Sequence, residues 1–300
     1  MLNLPQNPKW GIARVSHSTL VNADCFDVFP FIEDKSIDAI IADLPYGTTQ
    51  NKWDSILPLN KLWKEYKRIL KDSGCVVLFA QTPFDKVLGC SNLDWLKYEW
   101  IWDKKLGSGS LNVKKMPLKR HENILVFSKG KTTYNPQMTK GKFRNKSTSK
   151  PSSNKGNYGE ITHQKDNFND DYYPTTILEF TNANVRARVH PTEKQLSLME
   201  YLVKTYTNEG DTVLDNTMGA GTTNLACIKL NRKSIGIEKE KQYYDVAVRR
   251  ALKYLGNDTY KNIQEKVNYD KLLSSGMFWE VHPELSGNWD VDREVVQYCH

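Results

Sequence analysis

The stretch DTVLDNTMGAGTTNLACIKLNRKSIGIE, residues 211–238, decides the fold. It opens on DTVLDN (211–216), which reads as a short strand. A Gly-rich turn, TMGAGTT (217–223), leads into a helical stretch at about 224–230. A short apolar run, SIGI (234–237), closes on Glu238. Strand, Gly-rich turn, helix, strand and acid make a βαβ unit, the building block of a parallel sheet. The acid lies about 20 residues beyond the glycines, where a carboxylate can reach a ribose hydroxyl.

The ligand expected here is not a dinucleotide. A pyrophosphate fingerprint needs a third glycine three residues after the second, and Asn224 stands there. Asp215, at the strand tip, repels a pyrophosphate and attracts a cationic amine. S-adenosylmethionine carries an ammonium, a sulfonium and a ribose, without phosphate, so the charges favour it. Its amino-acid end is expected against Asp215 and the turn, its ribose on Glu238. Asp215 also reads as a plain strand-end acid.

The first half of the chain has the same grammar. Residues 36–42 (SIDAIIA) and 75–80 (CVVLFA) read as strands buried on both faces. Between them, 59–70 (LNKLWKEYKRIL) spaces its apolar residues as a helix does, with Gly74 as a stop. Residues 97–102 and 123–127 read as two further strands around a Gly-Ser-Lys-rich loop. The first strand ends in IIADLPYG (40–47), which pushes an acid and a tyrosine into one rigid turn. Ordinary turn chemistry explains Asp, Pro and Gly there equally well.

From about 130 to 185 the composition changes. Lys and Arg recur through 129–165 against a single acid, Glu160, with aromatic residues interspersed. Such a segment buries too little apolar surface for a core of its own. It is either a solvated linker or, the better reading, a surface for phosphates and stacked bases. Lys104, Lys105, Lys114, Lys115, Lys119 and Arg120 would join Lys140, Lys142, Arg144 and Lys146 in it. A net charge of +7 suits a polyanionic partner. The five cysteines form no CxxC pair, so neither a metal site nor a disulfide framework is implied. No apolar run is long enough to span a membrane, and a cytoplasmic location is expected.

Together these segments resemble the beta class of DNA amino-methyltransferases. DLPYG is similar to the catalytic tetrapeptide of that family, DNTMGAGTT to its cofactor loop, and HPTEK (190–194) to a segment just upstream of that loop. NADC (22–25) followed by DKSIDAIIADLPYG is similar to the family's opening. The catalytic turn precedes the cofactor loop, with a basic insertion between, as in the beta order. The resemblance spans roughly residues 20 to 252. It implies a Rossmann-like, doubly wound, mostly parallel α/β sheet, with 1–129 as catalytic half, 130–185 as basic target-recognition insertion, 186–256 as cofactor half and 257–300 as an extension of unknown role.

The resemblance further implies site-specific transfer of a methyl group from S-adenosyl-L-methionine to N6 of a flipped adenine in double-stranded DNA. Asp43 and the main-chain carbonyl of Leu44 would accept the two N–H bonds of the amine. Pro45 would stiffen the turn, and Tyr46 would stack on the extruded base. Asp24, Cys25, Thr192, Lys194, Asp215, Asn216, Gly219, Gly221, Thr222, Thr223 and Glu238 would hold the cofactor, and no metal is required. Leu44 replaces the usual first proline, Asn216 and Thr217 replace a common Pro-Phe pair, and Gln195 replaces a proline. N4-cytosine methylation is the alternative, although such enzymes more often carry Ser at position 43. An RNA or protein-amide methyltransferase, a silent DNA-binding module, a homodimer and a partner restriction nuclease stay open at this point.

Overall fold

A computed structural model describes residues 4, 10–47, 55–146, 167–181 and 194–259. They fall into two compact units, one drawn from Met1–Asn135 with Thr176–His300, the other from Pro136–Thr175. In the larger unit the strands are β1 (Gly11–Val15), β2 (Ser18–Asn22), β3 (Ile37–Asp43), β4 (Leu70–Ala80), β5 (Leu96–Ser108) and β6 (Lys119–Phe127). The smaller unit holds an antiparallel hairpin of β7 (Thr139–Lys146) and β8 (Asn167–Tyr172). The larger unit resumes with β9 (Ile177–Glu179), β10 (Thr212–Asp215) and β11 (Lys233–Glu238). Its helices are α1 (Cys25–Val28), α2 (Leu59–Ile69), α3 (Phe84–Cys90), α4 (Leu196–Tyr206), α5 (Thr222–Lys229) and α6 (Lys241–Thr259).

The nine strands of the larger unit form one sheet in the order β1-β2-β11-β10-β3-β4-β6-β5-β9. Strands β2, β11, β10, β3 and β4 are mutually parallel. Only β1 and β6 run against the rest, each paired antiparallel with its neighbours. The doubly wound, mostly parallel α/β expectation therefore holds.

Side-chain alternation explains the apolar runs. Ile40 and Ala42 point to one face of β3, with Val76 and Leu78 of β4, and pack under Leu62, Trp63, Tyr66 and Ile69 of α2. Ala39 and Ile41, with Val77 and Phe79, point to the other face, beneath Leu198, Leu202 and Tyr206 of α4. Both faces are dry, so the sequence shows no polar alternation. Each fully buried Ile or Leu contributes about 1.5–3 kcal/mol.

Two expectations change. Gly74 does not stop α2, because the chain is already extended at Leu70. A Cβ on Gly74 would lie 2.8 Å from the Asp38 carbonyl and from Leu70, so the glycine permits close approach of β4 to β3. Half of the loop expected between 102 and 123 is strand, since β5 runs on to Ser108 and β6 begins at Lys119. Ala80, the last residue of β4, pairs with Asn123, which also pairs with Ile101. Beyond that level β5 and β6 pair only with each other and, briefly, with β9. They form an arm that runs four β6 residues past the end of β4, roughly 13 Å at about 3.3 Å per residue. Of HPTEK only Lys194 lies among the described residues, and the extension at 260–300 lies outside them.

Candidate active site

Strand order reverses between β3 and β10. The chain proceeds from β3 outward to β4, and from β10 outward to β11 on the other side. Ligands of open α/β sheets bind at the carboxyl ends of the strands beside such a switch. Asp43 is the last residue of β3 and Asp215 the last of β10. The two sequence motifs thus meet at one edge, and Thr217 Oγ1 donates to the Asp43 main-chain carbonyl at 3.0 Å.

Both carboxylate oxygens of Asp43 are engaged. Tyr46 Oη donates to Oδ1 at 2.6 Å, and Lys194 Nζ lies 2.7 Å from Oδ2. Burial pushes the Asp43 carboxyl up, Lys194 pulls it back and Glu122 pushes it up again. Tyr46 stacks on Phe84, ring centroids 5.4 Å apart at 25°. Part of the ring surface expected for an extruded base is thus packed against Phe84. Pro45 is half-buried and Leu44 buried, so the Leu44 side chain packs inward while its main chain forms the turn.

Lys194 requires a correction. It was expected on the cofactor, but it is buried between Asp43 and Glu122, with Glu122 Oε2 at 3.2 Å. Its charge is satisfied by two carboxylates, which hold its pKa above the ordinary value despite burial. Thr192 lies outside the described residues.

On the other side of the switch, Asp215 is buried and its pKa is raised to about 7. Burial is the main cause, hydrogen bonds from Thr223 and the Thr217 N–H oppose it, and Asp43 and Glu238 add repulsion. Glu238 accepts the Gly219 N–H at 2.9 Å and the Glu240 N–H at 2.8 Å, fixing the Gly-rich turn. Gly221 is left-handed, φ +70°, and a Cβ there would meet Ala247 Cβ at 2.7 Å. A buried acid with two further carboxylates near enough to repel it fits a ligand that brings positive charge, such as an ammonium.

The remaining expected cofactor residues divide. Asn216 is buried and accepts from Tyr66 Oη. Cys25 lies against Asn216, its thiol pushed up to about 12 by burial and by Asp24. Asp24 caps α1, accepting the Phe26 N–H at 3.0 Å, and pairs with Lys239 at 3.3 Å. The buried hydroxyl of Thr222 accepts from Arg250, which also holds the Ala220 carbonyl. Its side chain supports the turn from behind.

The basic residues are less free than their number implied. Lys104 is buried and paired with Glu122, so it is no phosphate contact; a buried ammonium needs a carboxylate rather than water. Lys105 pairs with Glu179. Arg120 grips Asp103 with two hydrogen bonds, 2.7 and 2.6 Å, which hold that carboxyl down at about 2. In the hairpin, Lys140 lies 2.7 Å from Asp170 and 2.8 Å from Asp171. Arg144 sits 4.2 Å over the Tyr172 ring and bonds Asn169. Lys114, Lys115 and Lys142 are exposed, and the Lys146 side chain lies outside the described residues.

Glu122 was missed. Its signal was present in the period of two, because Trp100, Trp102 and Lys104 alternate on one face of β5. A lysine in phase with two buried tryptophans needs a buried acid opposite, and Trp102 pairs with Glu122 in the ladder.

Comparison with known proteins gives the family. Residues 37–249 match the DNA methylase family of N6- and N4-methyltransferases. The Type II methyltransferase M1.MboII of Moraxella bovis is 29% identical over 252 residues, covering 75% of this chain and 92% of that protein. The DNA adenine methyltransferase YhdJ of Escherichia coli K12 is 26% identical over 288 residues, covering 89% and 94%. The crystal structure of the M1.HpyAVI–SAM complex superposes with a TM-score of 0.55 at 26% identity, covering 78% of this chain and 99% of that one. With that family model matched over residues 37–249, most of its length, the chain belongs to the DNA methylase family.

Proposed function

We propose that this DNA methyltransferase acts on N6 of adenine in duplex DNA, with S-adenosylmethionine as methyl donor. The observation that carries this reading is Asp43 at the tip of β3, hydrogen-bonded and ion-paired, one strand from the buried acid Asp215. YhdJ, named a DNA adenine methyltransferase, supports adenine as the base.

When bound, S-adenosylmethionine supplies an electrophilic methyl group. Asp215 would hold its ammonium, with the Gly219–Gly221 turn against its amino-acid end and Glu238 toward its ribose. Asp43 and the Leu44 carbonyl accept N–H bonds from the target amine, whose lone pair is otherwise delocalised into the ring. The half-buried carboxylate faces the positive charge that develops on nitrogen, which is electrostatic preorganisation. Pro45 and the Thr217 hydrogen bond fix where that carboxylate stands. Positioning supplies much of the remaining acceleration.

Duplex contact is supported by the β5–β6 arm, which leaves the sheet at the catalytic edge. Exposed Lys114 and Lys115 alternate there with exposed Leu111, Val113 and Met116. The β7–β8 hairpin supplies Lys142 to the target-recognition role. Relatives named Type II methyltransferases support a place beside a partner nuclease.

The test incubates the full chain with methyl-labelled S-adenosylmethionine and DNA from a methylation-free host, then digests to nucleosides. The expected product is N6-methyldeoxyadenosine. N4-methyldeoxycytidine overturns the base assignment, and unlabelled DNA overturns the activity.

A further inference from the structure

We propose that Lys194 and Glu122 position the catalytic carboxylate by offering the lysine ammonium two seats, one on Asp43 and one on Glu122, between which it moves as the target amine binds. This deepens the reading of Asp43 as amine acceptor and rests on it.

Four buried or half-buried charges form one chain: Asp43, Lys194, Glu122 and Lys104. Two carboxylates balance two ammoniums, so the group is neutral as a whole. The Lys194 ammonium also lies 5.0 Å from the Phe79 ring and 5.9 Å from Tyr46. Aromatic faces favour a cation without fixing it to one spot.

The two seats differ in occupancy. On Asp43 both oxygens have a donor, so an incoming N–H must displace one or crowd it. On Glu122, Oε1 holds Lys104, while Oε2 is buried and makes no hydrogen bond among the described residues. That oxygen already lies 3.2 Å from Lys194 Nζ. A buried carboxylate oxygen held only by that longer ion-pair contact is under-satisfied, which is costly. Rotation about the last side-chain bonds of Lys194 closes the distance, keeps the group neutral and frees Oδ2 of Asp43 for the amine. Lys104, 5.0 Å from the Trp102 ring, anchors the far end.

A merely structural ion pair would tie the entry of α4 to β6 and do nothing else. The experiment separates the two roles by the pH profile of single-turnover methylation, at saturating S-adenosylmethionine so that Asp215 does not enter. The substrate is plasmid DNA from a methylation-free host. The groups that face Asp43 are Tyr46, Lys194 and Glu122, with Lys104 behind and Asp215 across the switch. Lys194→Met is expected to lower the rate roughly 10²-fold and to move the acid limb to higher pH, because the cation that keeps Asp43 ionised is gone. Lys194→Arg should leave the limb in place. Glu122→Gln should slow the step and move the limb to lower pH, because the opposing acid is gone and Lys194 stays on Asp43. An unmoved limb in Lys194→Met, or both variants moving the same way, overturns the proposal. Should Lys194→Met not fold, an unmoved limb in the near-isosteric Glu122→Gln overturns it alone. A wild-type chain that transfers no methyl group overturns instead the reading of Asp43 on which the proposal rests.

Discussion

Thr217 Oγ1 donates to the main-chain carbonyl of Asp43 at 3.0 Å, joining the turn after β10 to the turn after β3 by one hydrogen bond. Methyl transfer needs the acceptor and the donor aligned, and here a single hydroxyl spans the two turns that align them.

Thr217→Val keeps the shape and removes the donor from the Asp43 carbonyl at a half-buried site. A lost neutral hydrogen bond costs about 0.5–1.5 kcal/mol. Single-turnover methylation is expected to fall by roughly tenfold, since about 1.4 kcal/mol corresponds to one decade. Thr217→Ser should restore most of it. Equal rates in the valine variant and wild type would leave the hydrogen bond without a part in alignment.

Asp215 should make cofactor binding pH-dependent. Its carboxyl is raised to about 7, so around pH 6 a large fraction of the protein carries it protonated. An ammonium prefers the carboxylate, so affinity for S-adenosylmethionine should rise as pH increases through 7. Binding at pH 6 should release close to one proton per site, about the full change for one acid. Calorimetry in two buffers of different ionisation enthalpy measures that release. Asp215→Ala should abolish both binding and proton release while DNA affinity stays nearly intact. Unchanged cofactor affinity in the alanine variant would remove Asp215 from the site.

Much of the fold was legible because strands buried on both faces read as unbroken apolar runs, as in SIDAIIA and CVVLFA. The β1–β2 hairpin was not legible, since GIARV and STLVN are short and mixed. The two ends of the site were visible as Asp43 and Asp215 because each acid terminates an apolar run. The partner of Lys194 was not, because ion pairing is decided by contacts over about 70 and 150 residues of sequence separation. The basic stretch misled for the same reason. Lys140 counts as a free charge in a composition tally, yet in the hairpin it holds two carboxylates.

That distinction bears on DNA binding. Each phosphate neutralised by a free cation releases counterions and steepens the salt dependence by about 0.9 per contact. Lys114→Ala with Lys115→Ala should flatten the slope of log affinity against log salt by about 1.8, twice that value. Lys140→Ala should change it less than Lys142→Ala, because Lys140 must first leave Asp170 and Asp171. Binding titrations at several salt concentrations check this order. Equal effects at 140 and 142 would mean the ion pairs open at no cost, and no effect at 114 and 115 would take the arm off the DNA.

The strongest claim concerns Asp43. Asp43→Asn keeps the size and one oxygen to accept from Tyr46, and replaces the other oxygen with an amide N–H pair. That pair would face the Lys194 ammonium, donor against donor, so Lys194 should rest on Glu122 in the variant. The amine would then meet no carboxylate. Single-turnover methylation should fall by roughly 10²–10³-fold, the loss seen when one preorganised electrostatic partner is removed, about 3–4 kcal/mol. Affinities for DNA and for S-adenosylmethionine should stay within a few-fold of wild type, since neither binding surface is altered. Turn chemistry alone makes the opposite prediction, because Asn forms the same local turns as Asp. A folded Asp43→Asn protein that turned over near the normal rate would mean the acid serves the turn and takes no part in the transfer.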